Sequence, residues 1–144
     1  MLKLKISKLE DNMIMPTKGS KGAACWDCYS PIMIDIKPKT ITKVPLNFAV
    51  ECPEGYKLCL YSRSSMGSKG IWLGNSLGIV DFDYRGNIIC AFYNSNDKSY
   101  HINAGDRICQ MALEKVNDFE LEEVSYEELS KTERGIGGFG STGK

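Results

Sequence analysis

Apolar and polar residues alternate along this chain in short runs, and turn-forming residues close nearly every run. Met1-Leu2-Lys3-Leu4-Lys5-Ile6 alternates and predicts a first strand. Ile32 to Ile36 predicts another, stopped at Pro38. Leu46 to Val50 runs into Pro53-Glu54-Gly55, and Tyr56 to Tyr61 alternates well. Asn87 to Tyr93 is an apolar strand closed by Asn94-Ser95-Asn96-Asp97, and Arg107 to Leu113 and Phe119 to Val124 complete the set. Many short strands punctuated by Gly, Pro, Asn and Asp predict an all-β chain, an antiparallel β-barrel or jelly-roll-like sandwich. No fixed period recurs, which excludes a solenoid.

Helix is scarce in this pattern. Ser125 and Glu128 have the spacing of a capping box, which predicts one or two turns through Lys131. Ser64 to Lys69 fits another short turn. After Thr132 the chain is too rich in glycine to build core, so residues 1–132 are expected to form the barrel and residues 133–144 a flexible Gly-rich arm.

Composition narrows the function classes. The chain of 144 residues fits one domain. Lys+Arg and Asp+Glu both number 18, so bulk charge does not attract nucleic acid or an anionic membrane. No apolar run reaches the ~18 residues of a membrane span, and the alternating start is not a signal peptide. A soluble intracellular chain, cytoplasmic or nuclear, is expected. Most of the 6 cysteines stand inside strand-like runs, which fits buried free thiols in a reducing compartment. Cys25-Trp26-Asp27-Cys28 lacks the second pair a zinc site needs and the helix start a redox motif needs.

The candidate chemistry centres on Gly78-Ile79-Val80-Asp81-Phe82-Asp83-Tyr84-Arg85-Gly86-Asn87. If the run stays extended, Asp81 and Asp83 share a face and form a like-charge pair suited to a general base; the alternative is an acidic hairpin tip in water. Arg63, the Ser64 hydroxyl and the amides around Ser65 precede a possible helix start, a natural anion seat or simply a polar loop. Period two places Gln110 on the face of Ile108, where a polar group needs a partner. The tail matches G-x-G-x-x-G and the first part of a P-loop, but neither has the strand and helix it requires. What remains is a strip of backbone donors with Arg134, Gly138 and Phe139, able to fold over phosphates and stack on a base. His101 is the single histidine, which disfavours Ser-His-Asp or Cys-His catalysis.

In order along the chain, Ala23 to Asp27, Arg63 to Gly70, Gly78 to Asn87, Gly105 to Gln110 and Arg134 to Gly143 resemble the five motifs of the trimeric dUTP diphosphatases (dUTPases). The resemblance implies hydrolysis of dUTP to dUMP and pyrophosphate by a homotrimer whose sites lie between subunits. It implies that Asp81 activates the water that attacks the α-phosphate. Arg63, Ser64, Ser65 and Gln110 would hold the phosphates, and Asn75 and the backbone around Gly78, Ile79 and Val80 would read uracil. Tyr84 would exclude a 2′-hydroxyl, although a turn asparagine and a core tyrosine remain open readings. Arg134, Gly138 and Phe139 would arrive from a neighbouring subunit. Mg²⁺ would be held mainly by the substrate phosphates, with Asp27 reaching it through water. A non-catalytic nucleotide-binding or regulatory protein on the same fold is the alternative; a related deoxycytidine-nucleotide deaminase leaves the phenylalanine-bearing arm unexplained. Cys25, Trp26, Cys28, Ser62 and Ser65 depart from the usual Gly, Tyr, aliphatic, Pro and Gly, and Ser65 would hinder phosphate approach if its position needs a positive φ.

Overall fold

The computed structural model describes residues 2–139. Eleven strands form: β1 (Lys5–Lys8), β2 (Trp26–Tyr29), β3 (Ile34–Ile36), β4 (Ile41–Pro45), β5 (Phe48–Glu51), β6 (Tyr56–Ser62), β7 (Ile71–Leu73), β8 (Leu77–Val80), β9 (Ile89–Asn94), β10 (Tyr100–Ile102) and β11 (Arg107–Lys115). One four-residue helix, α1 (Ser64–Gly67), follows β6. The strands make a four-stranded sheet in the order β2-β11-β6-β8, a three-stranded sheet β4-β9-β7, and the pairs β1-β5 and β10-β3. Every ladder is antiparallel. The expected all-β antiparallel class is what forms.

The β6–β11 ladder carries the larger sheet, with Leu60 opposite Met111 and Leu58 opposite Leu113. Partners across a ladder share a face. Leu58, Leu60 and Met111 accordingly pack inward, while Lys57 opposes Glu114 on the other face, 3.7 Å apart. Phe92 on β9 and Phe48 on β5 are the largest fully buried side chains and belong to one core cluster. Asn94 is fully buried at the end of β9, yet its amide donates to the carbonyls of Ile36 and Lys98 at 2.8 and 2.9 Å. Burial without those acceptors would cost several kcal/mol, of order 2–7.

Several element boundaries differ from expectation. The first strand begins at Lys5 and the third at Ile34, each later than the apolar run. Phe119 to Val124 is not a strand: Phe119 is 77% and Leu121 91% exposed. Alternation yields a strand only where an edge accepts the backbone, and no ladder among the described residues includes that segment. The capping box at Ser125 does form, with the Ser125 amide donating to Glu128 at 2.9 Å. That bond and the Ser125 hydroxyl hold the Glu128 carboxyl below its usual range. Only one 3-10 turn (Tyr126–Glu128) follows, because none of its residues is buried and helices depend on packing an apolar face.

All six cysteines are free; five are buried, Cys25 being the partial exception. Cys28, Cys90 and Cys109 meet between the sheets, and the Cys90 and Cys109 sulfurs lie 3.2 Å apart. Contact with Cys109 and burial raise the Cys28 pKa. Among the described residues, no helix is long and apolar enough to cross a membrane.

Candidate active site

One polar cluster forms where β2, β6 and β11 meet. Asp27 on β2 is 9% exposed. Its Oδ1 lies 3.3 Å from Arg63 Nε, and its Oδ2 lies 3.5 Å from a terminal nitrogen of Arg107. Arg63 Nε is buried without an aligned acceptor, so its attraction to Asp27 is electrostatic more than a directed hydrogen bond. Arg63 also donates to the Arg107 carbonyl at 2.9 Å. Gln110 stands opposite Asp27 on one side and Tyr61 on the other. It does not share the face of Ile108 as period two predicts. The register shifts between Arg107 and Cys109, a bulge that sends Ile108 and Cys109 consecutively into the core.

Arg63 caps α1 in an extended conformation, and the buried Met66 anchors the turn. The first-turn amides of Ser64 and Ser65 have no acceptor within a helix. Both serines are exposed beside Arg63. Ser65 is helical and not among the residues of positive φ, so the expected obstacle to phosphate approach does not arise from its backbone. Ser62 accepts a hydrogen bond from the Leu73 amide at 2.9 Å, which pins the end of β6 to β7 just before Arg63.

A second group surrounds β8. Asn75 lies exposed in the turn that joins β7 to β8, where Ser76 takes a φ of 62°. Gly78 is buried, and a Cβ there would stand 3.0 Å from that of Leu60. Ile79 points outward at 55% exposure, and Val80 inward at 9%. Beyond Val80 the strand ends. Asp81 is exposed, and its carbonyl accepts from the Tyr84 amide at 3.2 Å, closing a turn. Strand alternation therefore does not place Asp81 and Asp83 on one face; the turn removes the period on which that expectation rested. Tyr84 is 45% exposed and not a core residue.

The third group is the arm. Arg134 Nε donates to the Gly137 carbonyl at 2.8 Å and the Gly137 amide to the Arg134 carbonyl at 3.0 Å, a local turn. Phe139 is fully exposed with a φ of 48°. Residues 140–144, the rest of the fifth motif included, lie outside the described residues.

The first two groups are far apart within one chain. β2 and β8 are the opposite edges of the four-stranded sheet, three strand spacings or about 14 Å apart. Asp27, Gln110, Tyr61 and Leu77 lie in one cross-strand row. Asp81 follows the last residue of β8 and is four residues beyond Leu77, a step of about 13 Å, so roughly 20 Å separates it from Asp27. Arg107 is a charged member of the first cluster to which sequence reasoning gave no role. The signal available was its place at the head of a strand, three residues from Gln110.

No group of three or more His, Cys, Asp or Glu side chains among the described residues could hold a metal ion. A hard cation at the first cluster would take phosphate oxygens and water as ligands, with Asp27, already flanked by two arginines, reaching it only through solvent. That donor set fits Mg²⁺ brought in with a polyphosphate.

The chain is an antiparallel, jelly-roll-like β protein that carries an Arg-Ser-Ser loop after β6, a hairpin carboxylate and a glycine-rich arm. The sequence model of the dUTPase family matches residues 11–143. The deoxyuridine 5'-triphosphate nucleotidohydrolase of Wolinella succinogenes is 40% identical over 144 residues, covering 99% of this chain and 95% of the relative. That of Nautilia profundicola is 40% identical, covering 99% and 100%. Among solved structures, a Staphylococcus bacteriophage 80alpha dUTPase variant with dUpNHpp superposes with a TM-score of 0.88 at 28% identity, over 99% of both chains. A phage phi11 dUTPase variant with a structural Mg(II) ion gives a TM-score of 0.79 at 25% identity, covering 88% of this chain and 99% of that one. The chain belongs to the dUTPase family.

Proposed function

We propose that this chain is a dUTP diphosphatase that hydrolyses dUTP to dUMP and pyrophosphate. The observation that carries this reading is the match to the dUTPase family over residues 11–143, which takes in all five motifs. Asp81 is the general base. Its carboxylate accepts a proton from a water molecule whose oxygen bonds to the α-phosphorus. The bond from that phosphorus to the bridging oxygen breaks, and pyrophosphate leaves. Arg63, Ser64, Ser65 and Gln110 bind the phosphate chain by charge and by hydrogen bonds. Asn75 and the β8 backbone from Gly78 to Val80 recognise uracil, and Tyr84 occupies the space a 2′-hydroxyl would need. Mg²⁺, when bound with the nucleotide, would neutralise phosphate charge, and Asp27 would reach it through water.

The working unit is a homotrimer with its sites between subunits. A base must stand within about 2.6–3.2 Å of the water it deprotonates, or one water away. The roughly 20 Å between Asp81 and Asp27 in one chain therefore supports a site that takes its phosphate cluster from one copy and its hairpin from another. The exposed Phe119 and Leu121 support the same assembly, since a contact between copies would cover them. The arm supplies Arg134, Gly138 and Phe139, which close over bound nucleotide. Asp81 favours the enzyme over a regulatory binding protein, because a pure binder has no use for a base.

Replacing Asp81 tests the chemistry. General-base catalysis is worth about 10²–10⁴-fold, so Asp81→Asn is expected to lose turnover by that factor while still binding dUTP. Turnover near the parental rate would remove Asp81 from the mechanism.

A further inference from the structure

Arg107 has no part in the chemistry described so far, yet it completes a node of three charges. Asp27 contributes one negative charge, and Arg63 and Arg107 two positive ones. The Asp27 and Arg63 side chains are 12% and 19% exposed, whereas Arg107 is 51% exposed. Two buried, closely paired charges need neighbours that hold their geometry, because a loose buried pair does not recover its desolvation cost. The bulge in β11 provides this. Arg107 and Gln110 are three residues apart, and in a regular strand an odd separation would put them on opposite faces. With the register shifted between Arg107 and Cys109, Arg107 opposes Tyr29 and Gln110 opposes Asp27. Tyr29 and Asp27 are two apart on β2, so Arg107, Asp27 and Gln110 all stand on one face. The node keeps one unit of positive charge uncompensated, on its most exposed member.

We propose that Arg107 is a positioning residue of the triphosphate site. Its guanidinium fixes the Asp27 carboxylate, which in turn fixes Arg63, and its surplus charge draws the polyphosphate to the α1 loop. Asp27 then serves first as a counter-ion that orients the arginines. The assignment rests on the dUTPase reading above. Because Arg63 donates to the Arg107 backbone carbonyl, that bond survives substitution, and a variant isolates the guanidinium.

The test is calorimetric binding of dUpNHpp and of dUMP, with Mg²⁺ and with chelator, to the parent, Arg107→Gln, Arg107→Lys, Asp27→Asn and the double variant. Arg107→Gln is expected to weaken dUpNHpp binding about tenfold or more while dUMP, which lacks the β- and γ-phosphates, changes less than about twofold. Arg107→Lys is expected to recover part of the loss, since it restores the charge but not the fork, and it carries the test if the Gln variant does not fold. In the double variant the Asp27→Asn loss is expected to shrink relative to its value in the parent, also in chelator. Equal losses for dUMP and dUpNHpp, or losses that simply multiply, would overturn the assignment while parental binding upholds the functional reading. A parent that binds no dUpNHpp would overturn both.

Discussion

Tyr84 folds back onto its own hairpin so that its hydroxyl donates to the Asn87 carbonyl at 3.0 Å, with the ring over Gly86, where any Cβ would overlap it. Glycine at residue 86 thus sets where the ring stands. Gly86→Ala is expected to displace Tyr84 and to reduce the preference for dUTP over UTP about tenfold, equivalent to about 1.4 kcal/mol of transition-state discrimination. The ratio of kcat/KM for the two nucleotides measures it. An unchanged ratio would take Tyr84 out of sugar selection.

A site shared between copies can be rebuilt from two broken chains. Asp81→Asn lacks the base, and a chain without residues 133–144 lacks the arm; each alone is expected to be inactive while still assembling. Mixed and allowed to exchange subunits, they are expected to recover part of the activity, because some sites receive an intact base and an intact arm. No recovery with exchange shown independently, for example by native mass spectrometry of the mixture, would mean that each site is built within one chain.

His101 on β10 opposes Asp35 on β3, with Nδ1 2.7 Å from the carboxylate. The hydrogen bond to Asp35 raises the imidazole pKa above its ordinary 6.5. A group raised in the folded state stabilises most where both states are protonated, and that contribution fades as pH rises through the folded value. His101→Gln is expected to lower Tm more below about pH 6 than above about pH 8. NMR titration of the parent should place the midpoint above 6.5, and Asp35→Asn should bring it back. The effect is small because both side chains are about half exposed. A Tm difference that does not vary with pH would contradict the coupling.

Alternation coincided with a partner inside the chain in β6, whose buried Leu58 and Leu60 are two residues apart, and that strand was legible; β4 and β7, short strands that pair with β9, were not read from the sequence. The pattern misled at Phe119 to Val124, where alternation is present but no edge among the described residues takes the segment. It misled again at Gln110, because a bulge inverts the parity of β11 and nothing in Arg107-Ile108-Cys109-Gln110 announces the extra residue. The hairpin carboxylate was legible as a residue type, while its geometry was not: the turn at Asp81 separates it from Asp83. The Asp27–Arg63–Arg107 node depends on that same bulge and on contacts across 36 and 80 residues of sequence, which no local pattern carries.

Pyrophosphate release from dUTP, UTP, dTTP and dCTP with Mg²⁺, measured on the full chain, tests the central claim most directly. The expected result is rapid release from dUTP, with kcat/KM for each of the others lower by at least about two orders of magnitude, as a site that hydrogen-bonds one base edge and excludes a hydroxyl should give. Release from UTP or dTTP at a comparable kcat/KM, or none from dUTP, would contradict it.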